Sequence, residues 1–445
     1  MTNLASGGGK TRRMKRWCVG MAALMVAAVL GALAWLSAGR VESTQGGAHR
    51  RLLLPIGSGA VGVQVYSGSG DAVMLRGHLD GPVVRRGRDG TWSATWFCQD
   101  RAYTARGRSD NLEIACAGRR QSFALDSAPV PAAVAPMPAR LAVLSDLEGN
   151  LRFMDAALAR LGIVDGDGRW QYGRGQLVVL GDSVDRGRDT FAVLWRLHEL
   201  ARQAHAAGGA VRVVLGNHEQ YILRGNVSRA HPEHRYALRE MGGYAHAFAA
   251  DTVIGAWLRA QPVAVKLGRV LLVHGGVSPG VADAGLSVDD LNGAMRNYWR
   301  TVPGTATRSA ALDAVMGSAG VTQYRGYLMA LDEAQPMATQ ADVDRVAAHH
   351  GVDQIVVAHT LVDRVQFLHG GKVIAVDVNE AQARPEALTY VDGVARVVDI
   401  GVARDLDTQP LTRTREFSLW EPADRRLLGQ MVGAYRDLSA LPQPY

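Results

Sequence analysis

Leu177-Val-Val-Leu180 runs directly into Gly181-Asp182-Ser183-Val184-Asp185-Arg186-Gly187, and Val211-Arg-Val-Val-Leu215 runs into Gly216-Asn217-His218-Glu219. Short runs rich in Val and Leu, closed by glycine, read as strands buried on both faces. Between them Phe191 to Ala207 has helical spacing. The pattern continues outward in both directions. Leu141-Ala-Val-Leu144 leads to Ser145-Asp146-Leu147-Glu148-Gly149-Asn150 and then to an amphipathic stretch, Leu151 to Leu161, stopped at Gly162. Val270-Leu-Leu-Val273 leads to His274-Gly275-Gly276, and Ile355-Val-Val-Ala358 to His359-Thr360. Strands alternating with helices indicate α/β layering, with the loops at the strands' carboxyl ends carrying the chemistry. Any one cluster is ordinary, since an Asp after a strand is usually a helix cap and a lone His usually a satisfied core or surface group. Five such clusters, each after an apolar strand, are expected to converge on one sheet edge.

The set resembles the calcineurin-like metallophosphoesterases, in particular the phosphoprotein phosphatase branch with its GDxVDRG, GNHE and HGG motifs. The resemblance covers roughly residues 140 to 395. Tyr324-Arg325-Gly326 is similar to an element of Shewanella-like protein phosphatases, and Val376-Asp377-Val378 is more loosely similar to the strand closing such domains. Asp185 favours this branch over the diadenosine tetraphosphatases, which usually carry Asn there. The implied fold is a sandwich of two packed β-sheets flanked by helices. The resemblance also implies two divalent ions, one held by Asp146, Asp182 and the residue at 148, the other by Asp182, Asn217, His274 and His359. Asp182 would bridge them. Such a pair activates a shared water for in-line attack on phosphorus and neutralises phosphate oxygens. His218 would protonate the leaving oxygen with Asp185 orienting it, while Arg186 and Arg325 would grip phosphate bidentately. Composition does not single out those arginines, because the chain has only four Lys among its 49 basic residues.

One position departs from the family. Where Asp-x-His-Gly is expected the chain has Asp146-Leu147-Glu148-Gly149. Three carboxylates, Asp146, Glu148 and Asp182, favour hard, oxygen-preferring ions, so Mn²⁺ is expected first, with Mg²⁺, Fe or Zn²⁺ as alternatives. The extra charge also works against phosphate attraction. Three readings follow: a membrane-anchored dimetal protein phosphatase acting on Ser/Thr or Tyr phosphoesters; a hydrolase of nucleotides or other small phosphate esters; and a non-catalytic envelope protein binding phosphate or a partner. Retention of His218, Asp185, Arg186 and both later His ligands favours the first.

The 445 residues, 47% of them hydrophobic, suffice for two or three folded units. The net charge of +7 suggests nucleic acid until it is located. Six of the 49 basic residues lie before position 41 with no acid among them, leaving 43 against 42 acidic residues. No nucleic-acid partner is expected. Lys10 to Arg16 form a cytoplasmic basic tail (1–16), and the uncharged run 17–38 has about the twenty residues needed to cross a bilayer. An uncleaved signal-anchor is favoured over a signal peptide because the run exceeds an h-region. The basic flank then puts the remainder in the bacterial periplasm, tethered to the inner membrane; cleavage would release a soluble periplasmic or secreted protein. Gly7-Gly-Gly-Lys10-Thr11 lacks the first glycine of a phosphate loop, and Arg12-Arg13 lacks the context of a twin-arginine signal.

Residues 49–125 read as a small all-β unit of hairpins, and 126–139 as a Pro/Ala-rich linker marking a domain boundary. Cys98 and Cys116 lie in this β-rich stretch, free to close a disulfide in an oxidising compartment or to remain unpaired. The phosphoesterase domain is expected over 140–400, with a helical, polar segment from Ser287 to Thr339 beside the site. His349-His350 suit a helix end. The extension 401–445 shows one helical stretch, near Leu427 to Leu438.

Overall fold

The computed structural model describes residues 8–44, 49–66, 75, 77–301, 307, 309–330, 332, 336–379, 382–402 and 412–439. The first seven residues of the basic tail, and 403–411 and 440–445 of the C-terminal extension, lie outside the described residues. Chain contacts define two units, one formed by 1–73 with 410–442 and the other spanning 74–409.

The larger unit contains the sandwich. Its first sheet runs Ala210–Val214, Gln176–Leu180, Arg140–Leu144, Glu386–Val391, Val394–Asp399 in spatial order, the first three strands parallel. Its second runs Gln366–Leu368, Val373–Ala375, Gln354–Val357, Val270–Val273, Ala264–Leu267, Val134–Ala135. Apolar side chains of both sheets meet in one core, including Leu141, Val143, Val178 and Leu180 from the first and Leu271, Val273, Ile355, Val357 and Ile374 from the second. Register explains the convergence of the motifs. Leu144 pairs with Val179 and Leu180 with Val214, so Asp146, Asp182 and Asn217 leave the first sheet at the same edge. In the second sheet Val357 pairs with Ala375 in parallel, which brings His359 and Asp377 out together.

Two boundaries differ from the sequence reading. Within the expected linker, Val134–Ala135 adds an edge strand beside Ala264–Leu267. The surrounding prolines are tolerated there because an edge strand needs ladder bonds on one side only. The expected 49–125 unit is also divided. Leu79–Arg86, Trp92–Cys98 and Arg101–Gly107 form a three-stranded sheet, followed by the hairpin Asn111–Cys116/Arg119–Ala124, with a Cys98–Cys116 disulfide between them. These strands pack on the phosphoesterase helices: Trp195 Nε1 donates to Pro82 O at 3.0 Å, and Phe97 meets Tyr236 edge-on with ring centres 5.7 Å apart.

Residues 49–66 belong to the other unit. His49–Ile56 and Gly59–Tyr66 join Arg40–Thr44 and Thr412–Glu416 in an antiparallel sheet. Val41, Leu52, Leu54, Phe417 and Leu427 form its core, with Leu427 supplied by the helix Pro422–Ser439. The helix Gly8–Ser37 enters this unit, and its segment Val19–Ser37 is long and apolar enough to cross a membrane. Trp17, Leu24 and Leu30 on that helix are all exposed.

Candidate active site

A cavity of about 370 Å³ opens at the shared carboxyl edge of the sheets. It is lined by Asp146, Glu148, Asp182, Arg186, Asn217, His218, Arg325, His359 and Asp377, with Tyr221, Arg229, Ser318, Gln323 and Leu361 around them. Eight of the ten side chains expected from sequence line it. The other two are fully buried: Asp185 against His218, and His274 against Asp182, with Nε2 3.1 Å from Oδ2. Six of the ten non-glycine residues at positive φ among the described residues are Asp146, Glu148, Asp182, Asp185, Arg186 and His359. Strain so concentrated persists only where surrounding structure over-determines the backbone. That framework includes glycines that permit close approach. A Cβ at Gly216 would lie 2.2 Å from Asp182 Oδ1, and one at Gly187 would lie 2.3 Å from Glu148 O.

Asp182, His274 and His359 each present a ligand atom within 4.8 Å of the others. His274 Nδ1 donates to Leu180 O at 2.8 Å, which aims Nε2 at Asp182 and at Asn217 Oδ1, 3.1 Å away. Such a backbone bond orients and polarises a metal-binding imidazole. Burial alone would lower the His274 pKa, but the Asp182 carboxylate outweighs it and raises it to about 10. That position therefore calls for positive charge, from a proton or a metal. Asp146 Oδ2 is buried without a hydrogen-bond partner, and burial followed by the neighbouring Asp377 carboxylate pushes its pKa well above the usual range. An orphaned carboxylate oxygen among other acids fits a divalent cation. The donor set accordingly suits metal binding.

Glu148, unlike the other expected ligands, faces a cation within the cavity. It lines the cavity, but its Oε1 lies 3.0 Å from Nε of Arg186. The carboxylate that replaces the family's imidazole is thus engaged with a residue expected to grip phosphate. Arg325 is positioned by its Nη1, which donates to His359 O at 2.6 Å.

His218 Nδ1 donates to Asp185 Oδ2 at 2.9 Å, which leaves Nε2 3.8 Å from Asp182 Oδ2. Burial would lower its pKa, but Asp182, and Asp185 through the hydrogen bond, outweigh it and raise the pKa above the ordinary imidazole value.

Two contributors lie within motifs read from sequence but were given no role there. Glu219 is fully buried, and its carboxylate accepts from the backbone N–H of Asp182 at 2.9 Å, Ser183 at 2.7 Å and Gly216 at 2.8 Å, tying two motif turns together. Its place in the GNHE motif was the available signal. Asp377 follows the apolar Val373–Ala375 strand, so it was a sixth example of the strand-then-polar pattern.

The family model described as calcineurin-like phosphoesterase matches residues 139–363, half of the chain. The chain belongs to the calcineurin-like phosphoesterases. It is similar in fold and sequence to a cold-active protein-tyrosine phosphatase of a psychrophilic Shewanella species, at 30% identity and a TM-score of 0.65, covering 72% of this chain and all of that one. Shewanella-like protein phosphatase 2 of Arabidopsis thaliana is 36% identical over 89 residues, 20% of this chain and 23% of that protein. A symmetrical bis(5'-nucleosyl)-tetraphosphatase of an Acidovorax species is 35% identical over 135 residues, 29% of this chain and 43% of that protein. The chain thus spans less than half the length of these two curated relatives. Calcineurin-like phosphoesterases are hydrolases of phosphate esters, and membership of the family implies divalent metals.

Proposed function

We propose that the protein is a membrane-anchored phosphomonoesterase of protein-phosphatase type. The observation that carries this reading is the Asp185–His218 pair, 2.9 Å apart, aimed at the Asp182 ligand cluster across the cavity that Arg186 and Arg325 line. Asp146, Asp182, Asn217, His274 and His359 would hold two divalent ions, with Glu148 at the margin. When bound, the ions supply positive charge to the phosphate oxygens and make a water molecule acidic enough to attack. Arg186 and Arg325 hold the phosphoryl group in line. As the water oxygen, its proton released to solvent, bonds to phosphorus and the P–O ester bond breaks, His218 gives its Nε2 proton to the leaving oxygen and is reprotonated from solvent. Asp185 stabilises the imidazolium beforehand and keeps it aimed. Glu219 keeps the Asp182 and Gly216 turns in register.

The carboxylate-rich ligand set supports Mn²⁺ as the working ion, and the basic flank before Val19–Ser37 supports a periplasmic catalytic unit. Phosphoprotein is favoured as substrate by the likeness to the Shewanella phosphatase. The tetraphosphatase relatives favour a second reading, hydrolysis of dinucleoside polyphosphates. Full-length protein in detergent, stripped of metal and titrated with Mn²⁺, Mg²⁺ and Zn²⁺, separates the two. Metal-dependent release of phosphate from phosphotyrosine or phosphoserine peptides at a kcat/KM above that for diadenosine tetraphosphate is the expected result. The reverse order establishes the second reading, and no turnover of either by folded, metal-loaded protein overturns both.

A further inference from the structure

Beside the cavity lies a run of buried polar groups that this mechanism does not use. While Asp185 Oδ2 holds His218, its other oxygen, Oδ1, accepts from the hydroxyl of Tyr244 at 3.4 Å. Tyr244 opens the short helix Tyr244–Ala247, directly after Gly242 and Gly243, both at positive φ. Burial, followed by the charge of Asp185, raises its pKa well above the ordinary phenol value, so the hydroxyl keeps its proton and can act only as a donor to this carboxylate. The other side of the Tyr244 ring packs edge-on against His234, with ring centres 5.7 Å apart and planes at 76°. His234 Nδ1 in turn donates to Asp80 Oδ2 at 2.6 Å. Asp80 Oδ1 accepts from the Gly81 N–H at 2.9 Å. His234 and Asp80 are both buried, and Asp80 is on the Leu79–Arg86 strand of the all-β segment.

Phenylalanine would fill Tyr244's volume without a polar atom to bury. A hydroxyl kept there costs desolvation, which its bond to Asp185 offsets. We propose that Tyr244 is a positioning residue for the Asp185–His218 pair, and that the all-β segment holds Tyr244 in place through the His234–Asp80 pair. The inference rests on the phosphomonoesterase reading above. With both carboxylate oxygens engaged, rotation of Asp185 about its terminal torsion is restrained, which keeps His218 aimed at the leaving oxygen. Without Tyr244 that aim loosens, and the loss grows with the leaving group's need for a proton.

The test compares p-nitrophenyl phosphate, whose leaving group needs little protonation, with phenyl phosphate, whose leaving group needs more. It uses Mn²⁺-loaded full-length protein in detergent. Hydrolysis of both by wild type upholds the underlying reading independently of the variant. Tyr244→Phe should lower kcat on phenyl phosphate by about tenfold, a fraction of what a general acid contributes, with kcat on p-nitrophenyl phosphate and both KM values nearly unchanged. In a His218→Ala background the same change should have no further effect. Asp80→Asn, which preserves shape, should give a smaller loss with the same substrate selectivity. Its melting curve and that of Tyr244→Phe report folding. Equal losses on both substrates, no loss on phenyl phosphate, or an undiminished effect without His218 would overturn the proposal.

Discussion

Glu148 illustrates what one side chain can change beside a candidate metal site. Sequence reading made it a carboxylate ligand in place of an imidazole, whereas the structure pairs its Oε1 with Arg186 at 3.0 Å. The two roles predict different responses to Glu148→His. If residue 148 reaches metal, restoring the imidazole moves the activity profile from Mn²⁺ toward Zn²⁺. If its role is only to hold Arg186, the metal profile stays put and the KM for phosphoester changes as the guanidinium is freed. The expected outcome is the shift toward Zn²⁺, measured as kcat/KM for p-nitrophenyl phosphate across a metal series. Asp146, Asp182, Asn217, His218, His274 and His359 were legible because each follows an apolar strand in a recognisable order. Tyr244 was not, since a tyrosine after two glycines carries no motif and its importance arises only from what lies against it.

At the scale of elements, the Pro422–Ser439 helix is anchored by Asp424, whose carboxylate takes a bidentate grip from Arg415, with Nη1 2.7 Å from Oδ2, and accepts from the Ser418 N–H at 2.9 Å. Burial would raise the Asp424 pKa, but these hydrogen bonds outweigh it and hold it below the usual range. A carboxylate depressed in the folded state stabilises above its unfolded pKa, about 3.9, and loses that contribution as pH falls through the folded value. Asp424→Asn should therefore cost about 1 kcal/mol at pH 7, a modest figure because Arg415 is half exposed. The deficit should shrink in acid, as hydrogen exchange at the Thr412–Glu416 amides would report. A deficit constant from pH 7 to about 3 would assign the effect to packing instead. The helix itself was visible as a periodic stretch. Its partner was not, because Arg415 and Asp424 acquire a role only once the strand before the helix is paired.

For the whole molecule, pairing of Thr412–Glu416 with Arg40–Thr44 links the two ends of the chain in one small sheet. Truncation after residue 402 should expose Val41, Leu52 and Leu54 and leave residues 40–66 open to protease, while 74–402 remains resistant and active on p-nitrophenyl phosphate. Loss of catalysis together with the small sheet would mean that the two units are not independent. By itself the sequence determined the α/β class, the family and eight of the groups that line the cavity. Strands buried on both faces have an unmistakable composition, and in a parallel sheet their following loops necessarily share an edge. Tertiary structure alone decided that 49–66 shares a sheet with 412–416 and not with 79–124, that Val134–Ala135 joins the sandwich, that Glu148 pairs with Arg186, and that Asp80, His234 and Tyr244 form a run of contacts ending at Asp185. These outcomes rest on contacts between residues far apart in the chain, and such contacts leave no local period or spacing to read.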